Sequence, residues 1–254
     1  MKELTEQPLY GTAILKARAI MDFIMASETP PLLIEISRNT TINKSTALKI
    51  LRTLEYCGYV RCLGSEKRYY LGTVFLRYAQ TTLSKFDINL IAKPFLKQLR
   101  DQTNETVNLG VQVDKSVVLL AKLESPSNIK LSSEIGEGLE LYRTAIGKAL
   151  LSTFGSDQFN EYLATTELLP STPETITDKS ELIKNINLTK ARGYAIENSE
   201  NQIEVICIGF PIVKDDHAYG AFSISIPKYR AKSADLDRYI KYGKLAQAGI
   251  SNKL

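Results

Sequence analysis

Histidine is almost missing from this chain and cysteine is scarce. One histidine, His217, and three cysteines, Cys57, Cys62 and Cys207, are spread over 254 residues, with no Cys-x-x-Cys pair. That composition argues against a zinc site. An odd, unpaired cysteine count argues against a disulfide scaffold. No apolar run is long enough to cross a bilayer. The first residues, MKELTEQPLYG, lack the apolar core of a secretion signal. The expected compartment is the cytoplasm. There is no internal repeat and no low-complexity tract. Gly147-Lys148 is not a phosphate-binding loop, because the preceding glycines are absent. Nucleophilic catalysis at Cys207 or Ser223 would need a base, and His217 lies in the turn-like run Lys214-Asp215-Asp216-His217.

What the chain does have is enough apolar content, 44%, for one large or two modest domains. Its net charge of +4 is unevenly placed. Residues 1–72 carry ten Lys/Arg against seven Asp/Glu, and residues 73–254 carry 22 against 21. Within residues 40–72 there are six basic and two acidic side chains. A local basic patch favours a polyanionic partner.

The patch coincides with the most informative stretch, LLIEISRNTTINKSTALKILRTLEYCGYV at residues 32–60. Leu32, Leu33, Ile36 and Ile42 can form one apolar stripe. The polar run Ser37–Thr41 ends a first helix and makes a turn. Asn43 is placed to cap a second helix, its side chain accepting a free backbone N–H. Ala47, Leu48, Leu51 and Leu54 then recur at helical spacing. Lys44, Ser45, Thr46, Lys49, Arg52 and Thr53 lie mostly off that stripe, and such side chains bond phosphates and base edges. In a helix-turn-helix the N-terminal residues of the second helix reach the bases. Gly58 reads as a left-handed helix stop. Two alternating runs, Tyr59–Leu63 and Arg68–Leu71, flank Gly64-Ser65-Glu66-Lys67 and predict a hairpin with Lys67 and Arg68 near its tip. With a helix upstream at Thr12–Ala26, the order is that of a winged helix. Singly, a capped surface helix with two lysines or a hairpin has no such implication. The ordered combination does. The candidate DNA-binding residues are Asn43, Lys44, Ser45, Thr46, Lys49, Arg52, Lys67 and Arg68.

Beyond this first domain, 8–72, residues 73–86 read as a linker helix with Val74, Phe75, Tyr78, Ala79 and Leu83 on one side. Residues 87–254 form a second domain. Leu90–Thr103 predicts a helix with Pro94 in its first turn. Val107–Val113 and Ser116–Leu123 predict a hairpin about Asp114-Lys115. Helices are expected at Thr144–Phe154, Asp157–Thr165, Asp178–Arg192 and Ser233–Ile250. Strands are expected at Tyr194–Glu197, Glu204–Pro211 and Gly220–Ile226, and a surface loop at 167–178. Helices around a mostly antiparallel sheet give an α+β fold.

The order of these parts resembles the IclR family of bacterial transcriptional regulators. The resemblance rests on the helix-turn-helix through EYCGYV, the YYLG wing end, RTAIGKALLS at 143–152, ARGYAIENSE at 191–200, and the ICIGFP and FSISIP strands. It covers about residues 9–250. It implies a winged helix-turn-helix, a linker helix and a GAF-like α+β effector-binding domain, with no enzymatic activity and no cofactor. It further implies double-stranded operator DNA as partner, repression more often than activation, a homodimer or homotetramer, and no membrane association. The implied effector is a small molecule. The N-terminus of a helix capped by Thr144 offers free N–H groups to an anion, opposite the Ser223 and Ser225 hydroxyls, so the expected ligand is a small polar organic molecule such as an organic acid. By motif, its pocket is lined here by Ala145, Ile146, Glu197, Cys207, Ser223 and Ser225, with Leu131 as an apolar wall. The chain departs from the pattern at Glu197, where Asp is common, at Tyr142-Arg143, where some relatives carry His, and at Asn198–Asn201, which replaces a more acidic run.

Taken only as residues, these positions have plainer readings. TAIGKALL is also a capped amphipathic helix with Gly147 for close packing. Ser223 and Ser225 share one strand face and, if buried, need partners that backbone or water can also supply. Cys207 reads equally as a small core residue, and Glu197 as a solvated strand end. The alternative function is an enzyme or sensor with an attached DNA- or partner-binding module.

Overall fold

A computed structural model of the chain describes residues 11–84, 87–127, 133–136 and 138–254. They fall into two compact units that divide between Thr82 and Leu83.

The first unit contains α1 (Thr12–Ala26), α2 (Leu33–Asn39), α3 (Lys44–Tyr56), β1 (Val60–Leu63), β2 (Arg68–Leu71) and most of α4 (Val74–Ser84). Ile20, Ile36, Ala47, Leu51 and Val60 are wholly buried and join the first three helices to the wing. The Ser37 hydroxyl donates to the Ile42 carbonyl at 2.7 Å, which pins the turn to α2. The strands β1 and β2 pair antiparallel, from Val60↔Leu71 to Leu63↔Arg68. Helix α4 packs back on this unit: Phe75 stacks on Tyr59 at 5.5 Å between ring centroids, and Tyr78 lies 6.1 Å from the same ring. Phe75 and Tyr78, part of the apolar stripe of this helix, are therefore used inside its own unit.

The second unit is a six-stranded antiparallel sheet with helices on both faces. Its elements are α5 (Asp87–Thr103), β3 (Thr106–Val113), β4 (Ser116–Leu123), β5 (Gly138–Glu140), α6 (Ala145–Leu151), α7 (Ser156–Thr165), α8 (Lys179–Arg192), β6 (Ala195–Asn198), β7 (Val205–Lys214), β8 (His217–Pro227) and α9 (Ser233–Ser251). The strand order is β5-β4-β3-β8-β7-β6. One face, with Val107, Leu109, Phe222, Ile224, Ile208 and Phe210, packs against α5 and α9. The other carries α6, and behind it a second core built with α7 and α8.

The structure departs from the sequence reading in four places. Helix α5 starts at Asp87, so Pro94 sits inside it rather than in its first turn. Ile88, Ala92, Leu96 and Leu99 stay buried at helical spacing across the proline. Their burial offsets a penalty of about 3 kcal/mol for proline in a helix interior. Helix α6 has only seven residues, shorter than the Thr144–Phe154 span, because the chain turns after Leu151. The 167–178 segment is not a free surface loop. Thr172 and Thr175 are buried, and their hydroxyls donate to the carbonyls of Ser199 and Glu200, each at 2.6 Å. The β7–β8 hairpin is also longer than expected, turning at Asp215 and Asp216, both left-handed.

Candidate functional site

Two sites emerge, one in each unit. In the first, Asn43 caps α3 as expected: its Oδ1 accepts the Thr46 N–H at 2.9 Å and the Ser45 hydroxyl at 2.9 Å. The cap fixes the helix start, and with Ala47, Leu51 and Leu54 buried, the opposite face is set. Lys44, Ser45, Lys49, Arg52 and Thr53 are exposed on it, and Thr46 is half-buried. Among the described residues no carboxylate pairs with Lys44, Lys49 or Arg52, so their charge is free for phosphates. Lys67 is exposed in the wing turn. Arg68 differs from the expectation. It begins β2, and its guanidinium donates to Glu66 at 2.9 Å and to the Pro30 carbonyl at 2.9 Å. It braces the wing against the α1–α2 connection rather than reaching from the tip. Arg61, which sequence reasoning passed over, is exposed on β1 opposite Tyr70.

In the second unit the strand register builds a polar strip. Thr106 pairs with Ser225, Ser225 with Cys207, and Cys207 with Glu197; one rung over, Asn108 pairs with Ser223 and Ser223 with Gly209. These residues share the face that carries α6. Helix α6 comes unusually close to it. A Cβ on Gly209 would lie 2.1 Å from the Ala145 carbonyl oxygen, and one on Gly147 would lie 2.3 Å from that of Leu141. Only glycine at both positions lets the helix settle there. Thr144 caps α6, accepting the Gly147 N–H at 3.1 Å.

A cavity of about 80 Å³ lies between this helix start and the polar strip. Ala145, Ile146, Glu197, Cys207, Ser223 and Ser225 all line it, so six of the seven expected effector residues converge on one space. The seventh, Leu131, lies outside the described residues. Asn108, Ser133, Asn201 and Gln202 also line it and were not foreseen. Asn108 donates to the Ser225 hydroxyl at 3.3 Å and accepts from Ser133 at 3.3 Å. The alternation in β3 that puts Asn108 on the Ser223 face was visible in sequence; its partner strand was not.

Glu197 is buried, not solvated. Its Oε1 accepts the backbone N–H groups of Glu200 and Asn201. Burial pushes its carboxyl up to about 7, outweighing those hydrogen bonds. Burial likewise pushes the Cys207 thiol well above its ordinary value, which disfavours the thiolate; the thiol donates to Ser225 at 3.3 Å. Among the described residues that line the cavity, none is cationic. His217 is exposed at the far end of β7–β8, paired with Lys214 while Cys207 pairs with Ser225.

A winged helix followed by this sheet-and-helix cavity defines a ligand-responsive DNA-binding regulator by architecture, and the comparisons agree. A profile described as the IclR helix-turn-helix domain matches residues 13–63. A second, described as bacterial transcriptional regulator IclR C-terminal, matches residues 80–252. The chain belongs to the IclR family of bacterial transcriptional regulators. It is 28% identical over 253 residues to the HTH-type transcriptional regulator KdgR of Escherichia coli (strain K12), covering 99% of this chain and 96% of that protein. It superposes on the crystal structure of the Thermotoga maritima IclR with a TM-score of 0.74 at 32% identity, over 96% of this chain and 98% of that one. An IclR homologue from Microbacterium hydrocarbonoxydans, solved with 4-hydroxybenzoate, matches in fold with a TM-score of 0.80 at 18% identity, over 94% and 98% of the two chains.

Proposed function

We propose that the exposed face of α3 and the wing read operator DNA, and that a compact organic acid in the α6–sheet cavity sets the affinity of that contact. The observation that carries the second part is the convergence of Ser223, Ser225, Asn108 and Glu197 on one small cavity. About 80 Å³ is well below the roughly 150 Å³ that holds benzene, so as it stands the space suits an acid of a few carbons. Its hydroxyl and amide groups suit oxygen-rich ligands. With no cation among the described lining residues, a carboxylate draws on another source of compensation. Glu197, pushed up to about 7, supplies it by carrying a proton and donating to the ligand. A homologue of the same fold that holds a hydroxy-carboxylate supports the chemical class.

The start of α6 adds little attraction for an anion, because a seven-residue helix has a small dipole and the Thr144 side chain already takes one free N–H. The enzyme reading loses support, since burial disfavours the Cys207 thiolate and His217 lies at the far end of the β7–β8 hairpin from Cys207 and Ser223. The regulator acts where its DNA lies, in the cytoplasm. It acts as a dimer or higher oligomer, because one winged helix reads too few bases to be selective in a genome. Exposed Ile14, Met25 and Leu76 supply apolar surface for self-association. Repression is the simpler sign, since occupancy of a promoter alone suffices for it.

The test is linkage. Glycolate, lactate and pyruvate are titrated against the protein free and bound to its own upstream DNA. The factor by which an acid changes DNA affinity must equal the factor by which DNA changes acid affinity. If none of these acids binds or alters DNA affinity, the ligand class is wrong.

A further inference from the structure

Lys148 is wholly buried, one turn into α6, and its ammonium bonds the Glu200 carboxylate. Taking an ammonium and a carboxylate out of water is expensive, and a buried pair is seldom the most stable filling of a core. Here the pair is not even fully satisfied: Glu200 Oε2 is buried with no hydrogen-bond partner. Stability alone is a poor reason for it, and its surroundings supply another.

Glu200 opens a tripeptide, Glu200-Asn201-Gln202, that does two jobs at the cavity. Its first two N–H groups hold Glu197 Oε1, and its last two side chains are cavity wall. Thr172 and Thr175 fix only carbonyls of this segment. Lys148 is the one cation that bonds the Glu200 side chain among the described residues, with the backbone N–H groups of Ile176 and Asn198 as its neutral neighbours. Its helix also carries Ala145 and Ile146, the opposite wall. One ion pair thus spans the two sides of the pocket.

We propose that Lys148 is a specificity-determining positioning residue: by holding Glu200 it fixes the Asn201-Gln202 wall and the direction in which Glu197 presents its carboxyl group to the ligand. This rests on the pocket reading above. The charged and titratable groups around Glu197 are Glu200 beside it, Cys207 on β7 and Lys148 on α6, with Arg192 of α8 acting on Lys148. The Lys148 charge opposes the repulsion between the two glutamates.

The test compares Lys148→Met, Lys148→Arg and the double variant Lys148→Met/Glu200→Gln, which removes both charges and guards against simple misfolding. Affinity for glycolate, lactate and pyruvate is measured by calorimetry across pH 5.5–8. Amide hydrogen exchange is followed at Glu200 and Asn201. In the double variant we expect at least about tenfold weaker acid binding, a changed pH profile, and about tenfold faster exchange of those two amides. DNA affinity without acid should not change. Lys148→Arg should restore part of the binding. Wild-type affinity with an unchanged pH profile in the double variant overturns the proposal while leaving the pocket reading intact. Wild-type protein that binds none of the three acids overturns both.

Discussion

Glu197→Gln should flatten the pH dependence of the second unit's stability. The side chain is only 2% exposed, so solvent screening discounts little. Its carboxyl is held at about 7 by burial in the folded chain, against 4.5 as the ordinary value. The folded state therefore holds the proton more tightly than the unfolded chain. The resulting stabilisation is full below about 4.5 and is lost as pH rises through about 7. The whole span corresponds to about 3 kcal/mol, and the part between pH 5.5 and pH 8 to about 2 kcal/mol. For a domain of this size, 1 kcal/mol moves the melting temperature by roughly 2–4 °C. Scanning calorimetry, which can separate the two units' transitions, should show the wild type losing roughly 4–8 °C between those pH values through this group. Glu200, also raised by burial, adds a loss of the same sign in both proteins.

The variant keeps the size and an oxygen for the Glu200 and Asn201 N–H groups but cannot titrate, so its loss should be smaller by that amount. Parallel curves for the two proteins would refute the burial argument, since they would mean that Glu197 titrates alike folded and unfolded. The same substitution bears on ligand binding. If an acid binds together with a proton on Glu197, wild-type affinity should fall about tenfold per pH above about 7, and the variant should not follow. A ligand recognised only by its hydroxyl groups, donating to an ionised Glu197, would show the reverse slope.

Arg52→Ala or Lys49→Ala should weaken operator binding, by roughly 1–3 kcal/mol for a bidentate base contact; gel-shift titration at several salt concentrations separates this from a phosphate contact, which lowers the salt slope by about one. A Lys44/Lys49/Arg52 triple alanine variant with unchanged binding would remove α3 as the reading helix. Ser223→Ala with Ser225→Ala should abolish the response to acid while DNA affinity holds, and a normal response in that variant would put the ligand elsewhere. Gly209→Ala forces a methyl against the Ala145 carbonyl and should cost about 3 kcal/mol or more, visible as early melting of the second unit; a wild-type melting curve would contradict the close approach of α6. Light scattering at micromolar concentration should find a dimer or larger, and a pure monomer with and without DNA would count against symmetric half-site reading.

Local order was legible because local signals set it. The Asn43 and Thr144 caps, the left-handed stops at Gly58 and Gly193, and the alternation Phe222-Ser223-Ile224-Ser225 each act within a few residues. What the chain could not disclose was which strand lies beside which. Asn108 became a pocket residue only through its register against Ser223 on β8, more than a hundred residues away. Arg68 lost its place at the wing tip to a carbonyl at Pro30, 38 residues before it. Glu197 shows the same limit in its chemistry. A glutamate at a strand end reads as solvated, and nothing local says otherwise. Burial comes from α6 on one side and from the Glu200-Asn201-Gln202 turn on the other, and the turn in turn is held by Thr172, Thr175 and Lys148. The pocket residues were found through family motifs. Their charge state, and therefore the kind of ligand they take, follows from long-range packing that brings a polar strip, a short helix and a braced turn around one small space.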